Sequence, residues 1–240
     1  MTSIRTENSL QAFTLAEVDV DGAIQETMAA AAGDTRAGFL AKAGLFGGGL
    51  IGGGALLAMA PAVASAATKN DVAILNFALT LEHLEAEFYT EAEKMGALSG
   101  EAALFARVVG DHERAHVKGL KAALGRAAVK KPKFNFRGTT EDMKMFMATA
   151  QVLEDTGVAA YKGQAPMIDS DAVLNAALAI HSVEARHAAW IRDMMGMSPA
   201  PNAFDPAMTK GQVLRAVAST RFIVAARNNT GGSTRPSFTG

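Results

Sequence analysis

The chain has 240 residues, a formal net charge of −1, 49% apolar residues, 7 prolines and no cysteine. That balance excludes a disordered or collagen-like chain, and the length suits one or two domains. Without cysteine there are no disulfides, thiolate-held zinc sites, cysteine-ligated iron–sulfur clusters or cysteine nucleophiles, and a charge so near neutral gives no electrostatic footprint for nucleic acid.

From Ala43 to Ala67 no residue is charged, and glycines 44, 47, 48, 49, 52, 53 and 54 crowd the first half of that run. Arg36 and Lys42 precede it, and Ala64-Ser65-Ala66 forms a small-x-small site at its end, the order of a secretory signal. Thr35-Arg36-Ala37-Gly38-Phe39-Leu40 resembles a twin-arginine export motif, with Ala37 in place of the second arginine. Residues 1–66 are therefore expected to be a leader, removed so that the mature protein begins near Ala67 outside the cytoplasmic membrane. The alternative is an uncleaved membrane anchor, since such a run is long enough for a bilayer core of about 30 Å; membrane contact is expected only in that case. The acidic residues between Glu7 and Asp34 do not suit a signal, and Met28 offers a more ordinary start.

Apolar periodicity, with start and stop signals, marks four helices in residues 67–198. The first runs from about Asp71 to Met95 and stops at Gly96; the second runs from about Gly100 to Leu124, entered through Ser99 and closed by Gly125. The third begins after Thr139, where Thr139-Thr140-Glu141-Asp142 reads as a capping box, and reaches about Gly163. The last spans about Asp171 to Met195, between Ser170 and Gly196. The one strand candidate, Lys133-Phe134-Asn135-Phe136-Arg137, lies inside a loop. About four residues join helices one and two, as between antiparallel neighbours, whereas Gly125 to Thr139 is long enough to cross a bundle from end to end. The expected class is all-α: a four-helix bundle with one long crossover between helices two and three. Residues 199–240 form a C-terminal extension with a short helix near Lys210–Val217 and a polar end.

Two of the five histidines follow a glutamate by three residues, in Glu113-Arg114-Ala115-His116 and Glu184-Ala185-Arg186-His187. Three residues is nearly one helical turn, so both groups of each pair share a face and can bind one metal. Each pair interrupts an apolar stripe: Ala106, Val109, Leu120 and Ala123 around Glu113, and Ala177, Ile180, Ile191 and Met194 around Glu184. The other two helices each carry a glutamate followed seven residues later by tyrosine, Glu82 with Tyr89 and Glu154 with Tyr161. These landmarks repeat: Glu82 to Glu154 is 72 residues, and Glu113 to Glu184 and His116 to His187 are each 71. Two hairpins of one design then pack with pseudo-twofold symmetry and bring six groups to one level. Four carboxylates in an apolar interior are prohibitive without cations, so metal binding is the least costly way to keep them folded. Glu85, one turn from Glu82, is a rival ligand that the tyrosine spacing disfavours. His83 and His112 are expected on the surface, Met143, Met145 and Met147 in packing, and Lys130, Lys131 and Lys133 in a solvated loop.

One Glu from each of two helices plus Glu-x-x-His from each of the other two is the ligand pattern of ferritin-like di-iron and di-manganese proteins. The chain resembles that superfamily over about Lys69–Met195, and specifically exported bacterial ferritin-like proteins related to plant desiccation-related proteins; Leu75-Asn76-Phe77-Ala78-Leu79-Thr80-Leu81-Glu82 through Tyr89 is the most characteristic phrase. The resemblance implies that Glu82, Glu113, His116, Glu154, Glu184 and His187 ligate a dinuclear centre, with Glu113 and Glu184 bridging and Tyr89 and Tyr161 beside it as catalytic residues. The expected cofactors are two metal ions, iron in preference to manganese; the reactants are dioxygen or peroxide; and a homo-oligomer is compatible. Expected functions are Fe(II) oxidation or reduction of O2 or peroxide in stress protection. The alternatives are a di-manganese catalase-like enzyme and a non-enzymatic envelope or desiccation-stress protein.

Overall fold

The computed structural model describes residues 54–224. The twin-arginine-like stretch, Met28, the first part of the expected leader and the polar end of the extension lie outside the described residues. Within them are α1 (Gly54–Ala66), α2 (Lys69–Met95), α3 (Gly100–Leu124), α4 (Met143–Gln164), α5 (Asp171–Met194) and α6 (Lys210–Thr220), with two-residue strands β1 (Lys133–Phe134) and β2 (Ile223–Val224). No helix among the described residues is long and apolar enough to cross a membrane.

Local chemistry sets the helix ends. Thr68 caps α2 in a reciprocal box: its hydroxyl accepts from the Asp71 N–H at 3.1 Å, and Asp71 accepts from the Thr68 N–H at 2.9 Å. The second Asp71 oxygen accepts from the Asp169 N–H at 2.9 Å, tying the turn before α5 to the start of α2. Gly96 ends α2 at φ 66°, a left-handed position that glycine adopts without strain. The third bundle helix begins later than its sequence suggests. Asp142, not Thr139, is the N-cap of α4 and accepts from the Met145 N–H at 2.8 Å; Thr139 instead closes a turn onto the Phe136 carbonyl. Ser99 and Ser170 occupy N-cap positions without a side-chain capping bond.

Gly96–Ser99 joins α2 to α3, and a 3-10 turn at Ala165–Met167 leads from α4 towards α5, giving two hairpins that meet through α2 against α4 and α3 against α5. The long crossover runs beside α2. Asn76 bonds both the Ala127 carbonyl and the Val129 N–H near the start of the crossover, and Thr140 bonds Glu91 at its end. Midway, β1 pairs antiparallel with β2, so the strand candidate finds its partner in the C-terminal extension. Phe136 inserts between Phe88 and Phe222 at centroid distances of 5.4 and 5.3 Å. The extension returns across α4 at Gly163, where an added Cβ would lie 1.9 Å from the Met208 carbonyl oxygen.

Two apolar clusters fill the interior. One is aromatic, around Phe88, Phe105, Phe136 and Phe146; the other is aliphatic, around Leu79, Leu120, Val173 and Ile180. Helix α1 packs on α3 and α5 and gives Ala60 and Val63 to the aliphatic cluster, with Val63 only 1% exposed. Thus the last thirteen residues of the expected leader form a fifth helix on the bundle. Of the helix-four methionines only Met147 packs against the core; Met143 and Met145 are exposed. Lys131 pairs with Glu87 across the crossover.

Candidate metal centre

Between the two apolar clusters lies a polar layer. Helices α2, α3, α4 and α5 contribute Glu82, Glu113 with His116, Glu154, and Glu184 with His187, every one buried. The helical period explains the arrangement: each group sits on the stripe that otherwise carries the core residues, so packing the hairpins aims all of them inward.

The His116 Nδ1 atom faces Glu82, Glu113 and Glu184 at 3.1, 3.2 and 3.2 Å. His187 Nδ1 faces Glu113, Glu154 and Glu184 at 3.2, 3.2 and 4.0 Å. Two overlapping groups result, Glu82–Glu113–His116–Glu184 and Glu113–Glu154–Glu184–His187, with the candidate ligand atoms of each within 4.8 Å of one another. Glu113 and Glu184 belong to both. Each turns one oxygen towards His116 and the other towards His187.

The tyrosines cross between hairpins. Tyr89 on α2 donates its hydroxyl proton to Glu154 on α4, and Tyr161 on α4 donates to Glu82 on α2. Burial and the carboxylate each one faces push both phenols well above their ordinary range, so they remain donors at neutral pH.

Protonation shows how the cluster tolerates so much carboxylate. Burial, relieved in part by His116, leaves Glu82 raised to about 7; burial together with Glu113 and Glu82 pushes Glu184 well above its usual value. Burial works against charge on His187 too, but Glu154 and Glu113 outweigh it and lift the imidazole to about 11; burial likewise opposes charge on His116, which Glu113 and Glu82 raise well above normal. Burial would raise Glu113, yet His116 and His187 hold it below the carboxylate range. Protons thus take the part of cations. Even so, Glu113 Oε1, Glu154 Oε2, both Glu184 oxygens and His187 Nδ1 are buried without a well-formed hydrogen bond. Five unsatisfied lone-pair donors converging on one space are what metal ions would satisfy, and the oxygen and imidazole donor set suits iron, manganese or zinc.

Three nearby residues sharpen the sequence reading. Glu85 is buried but joins neither four-residue group; it takes up space opposite Gly157, its counterpart in the 72-residue repeat. His83 is not on the surface: it is 4% exposed, and burial together with Lys121 and Lys131 lowers it to about 4. His112 is not free either, because its Nδ1 lies 2.9 Å from His187 Nε2 with the two rings stacked. That contact fixes the His187 ring and leaves its Nδ1 facing the cluster. Spacing within one helix carries no signal for the packing that buries His83 or for the interhelical bond of His112, so neither is placed by the sequence.

A family model described as a ferritin-like domain matches residues 70–197, more than half of the chain and all four helices that build the cluster. No curated protein matches the chain.

Proposed function

The chain belongs to the ferritin-like domain family, and from that premise we propose that its buried cluster holds two metal ions, iron in preference to manganese, and reacts with dioxygen or peroxide. The observation that carries this reading is the double membership of Glu113 and Glu184, whose paired oxygens face both imidazoles and are left largely unsatisfied. Glu82 and His116 would complete one position, Glu154 and His187 the other. Held there as a ferrous pair, the metal would supply two one-electron reductants, becoming ferric, so that dioxygen with two protons would be reduced to hydrogen peroxide.

The protein's own groups prepare that chemistry. Tyr161 and Tyr89 each restrain one oxygen of Glu82 and Glu154, leaving the second oxygen for ligation. His112 sets the orientation of His187. The protons that neutralise the cluster leave as metal enters, because carboxylate and imidazole ligate only when deprotonated. Full burial excludes water from the carboxylates and strengthens each charge interaction.

Metal analysis of protein purified from its native host, followed by anaerobic Fe(II) titration and assays of oxygen and peroxide consumption, tests this reading. Two ions per chain and metal-dependent consumption are expected. A chain that binds no metal at micromolar concentration, or binds it and consumes neither oxidant, would refute it.

A further inference from the structure

The pseudo-twofold repeat breaks down around the two tyrosines. Tyr89 is 0% exposed, and Phe88, Phe105 and Phe146 enclose it at centroid distances of 5.3, 5.9 and 6.0 Å. Shifted by the repeat, Phe88 corresponds to Ala160, Phe105 to Ala176 and Phe146 to Ile74. Two alanines and an isoleucine thus stand near Tyr161 where three aromatic rings seal its counterpart. At two of those positions, Ile74 and Ala160, the side chains line an apolar crevice between α2, α4 and α5, of about 350 Å³ counted to its open mouth, with Ala78, Tyr161 and Ala177 also on its walls and Gln164 its only non-aromatic polar side chain. Tyr161 therefore touches the crevice with its ring and the metal ligand candidate Glu82 with its hydroxyl.

We propose that this crevice is the binding site and entry for dioxygen, which reaches the centre from the Tyr161 side. The inference rests on the dinuclear reading above. Its interior has room for about one or two molecules the size of water, too little for an aromatic ring or an acyl chain. An apolar space of that size takes up a small nonpolar gas, whereas hydrogen peroxide would have to give up its hydrogen bonds to water to enter it. The lining therefore selects dioxygen over peroxide. On the other side, three aromatic rings pack against Tyr89.

Xenon is the direct probe. Full-length protein, metal-free and metal-loaded, is examined by xenon-129 NMR and in xenon-pressurised crystals, alongside Ala160→Phe, which rebuilds the ring present in the sealed half. Xenon is expected beside Tyr161 in the wild type and absent from the variant. After anaerobic loading with Fe(II), the second-order rate constant with dioxygen is expected to fall at least tenfold in Ala160→Phe, with the rate on added peroxide and the metal stoichiometry unchanged. Ala78→Val, a smaller filling of the same crevice, serves if the phenylalanine prevents folding. Absence of xenon from the wild type, or a filled crevice with unchanged dioxygen kinetics, would overturn the proposal and leave the dinuclear reading intact. Loaded wild-type protein that reacts with neither oxidant would sink that reading and this inference with it.

Discussion

Replacing Gly157 by alanine sets two effects against each other at one atom. Gly157 lies inside α4, where alanine is favoured over glycine by about 1 kcal/mol. The added Cβ would lie 3.1 Å from Glu184 Oε2 and 3.4 Å from Glu85 Oε1, so Glu184 must retreat by a few tenths of an ångström. In the metal-free protein both Glu184 oxygens lack hydrogen-bond partners and can move, so Gly157→Ala is expected to raise the melting temperature by about 2–4 °C. With metal bound, ligand distances are held within about 0.2 Å, and the same displacement is expected to weaken binding by about tenfold to a hundredfold. That is about 1.4–2.7 kcal/mol, larger than the helix gain. Thermal melts with and without chelator, combined with competition against a chromophoric chelator, read both effects. If the variant gains the same stability in both states and keeps wild-type affinity, Glu184 does not hold metal as described.

Four further outcomes follow from the same geometry. Glu113→Ala and Glu184→Ala should each lose stoichiometric binding of both ions in elemental analysis, because each residue belongs to both groups; retention of two tight ions in both variants would exclude the shared-ligand arrangement. In metal-free protein, Glu82 is raised to about 7 and His187 to about 11, so the stability each lends is complete below its unfolded pKa and fades as pH rises, between about 4.5 and 7 for Glu82 and from about 6.5 towards 11 for His187. Melting temperatures without metal should therefore fall from pH 5 to 9, whereas metal affinity should rise over the same range; parallel profiles would contradict the proton-for-metal exchange. Gly110→Ala should destabilise by about 1–3 kcal/mol in chemical denaturation, since its Cβ would lie 2.9 Å from the Tyr89 Cβ, which is fixed to the backbone of α2. Val63→Asp should cost about 2–3 kcal/mol or release α1, seen as a lower melting temperature and dye binding; unchanged values would mean that α1 contributes nothing to the folded chain.

Much of the bundle is legible because its signals are local. Apolar stripes at helical spacing, Gly96 and Gly125 at helix ends, and a four-residue link all lie within reach of neighbouring residues. The repeat does the rest for the site: offsets of 72 and 71 residues place Glu82 opposite Glu154 and the two Glu-x-x-His pairs opposite each other, and the structure brings all six groups together. What stayed hidden depends on contacts far apart in sequence. The β1–β2 pair joins residues about ninety positions apart, and His112 meets His187 only because α3 and α5 converge. Asp142 and Thr139 are both competent caps, and the Thr139 turn onto Phe136 decides between them. Residues 54–66 show a different limit: a small, uncharged, apolar run has the same composition whether it serves as a leader or as a packed helix.

That last segment ties processing to surface chemistry. The Ala66–Ala67 bond, where the small-x-small motif would direct a peptidase, opens the two-residue link between α1 and α2, whose second residue, Thr68, caps α2. A cut there would do two things at once. It would place a new positively charged amine one residue from the N-terminus of α2, opposed to the helix dipole by about 0.3–1 kcal/mol. It would also free Ala60 and Val63 from the cluster of Leu120, Val173 and Ile180, baring an aliphatic strip one turn from His116 and Glu184. A chain that carries α1 would present α3 and α5 as a closed face; the same chain without it would present a water-averse seam, and its adhesiveness and its melting behaviour would change with a single peptide bond.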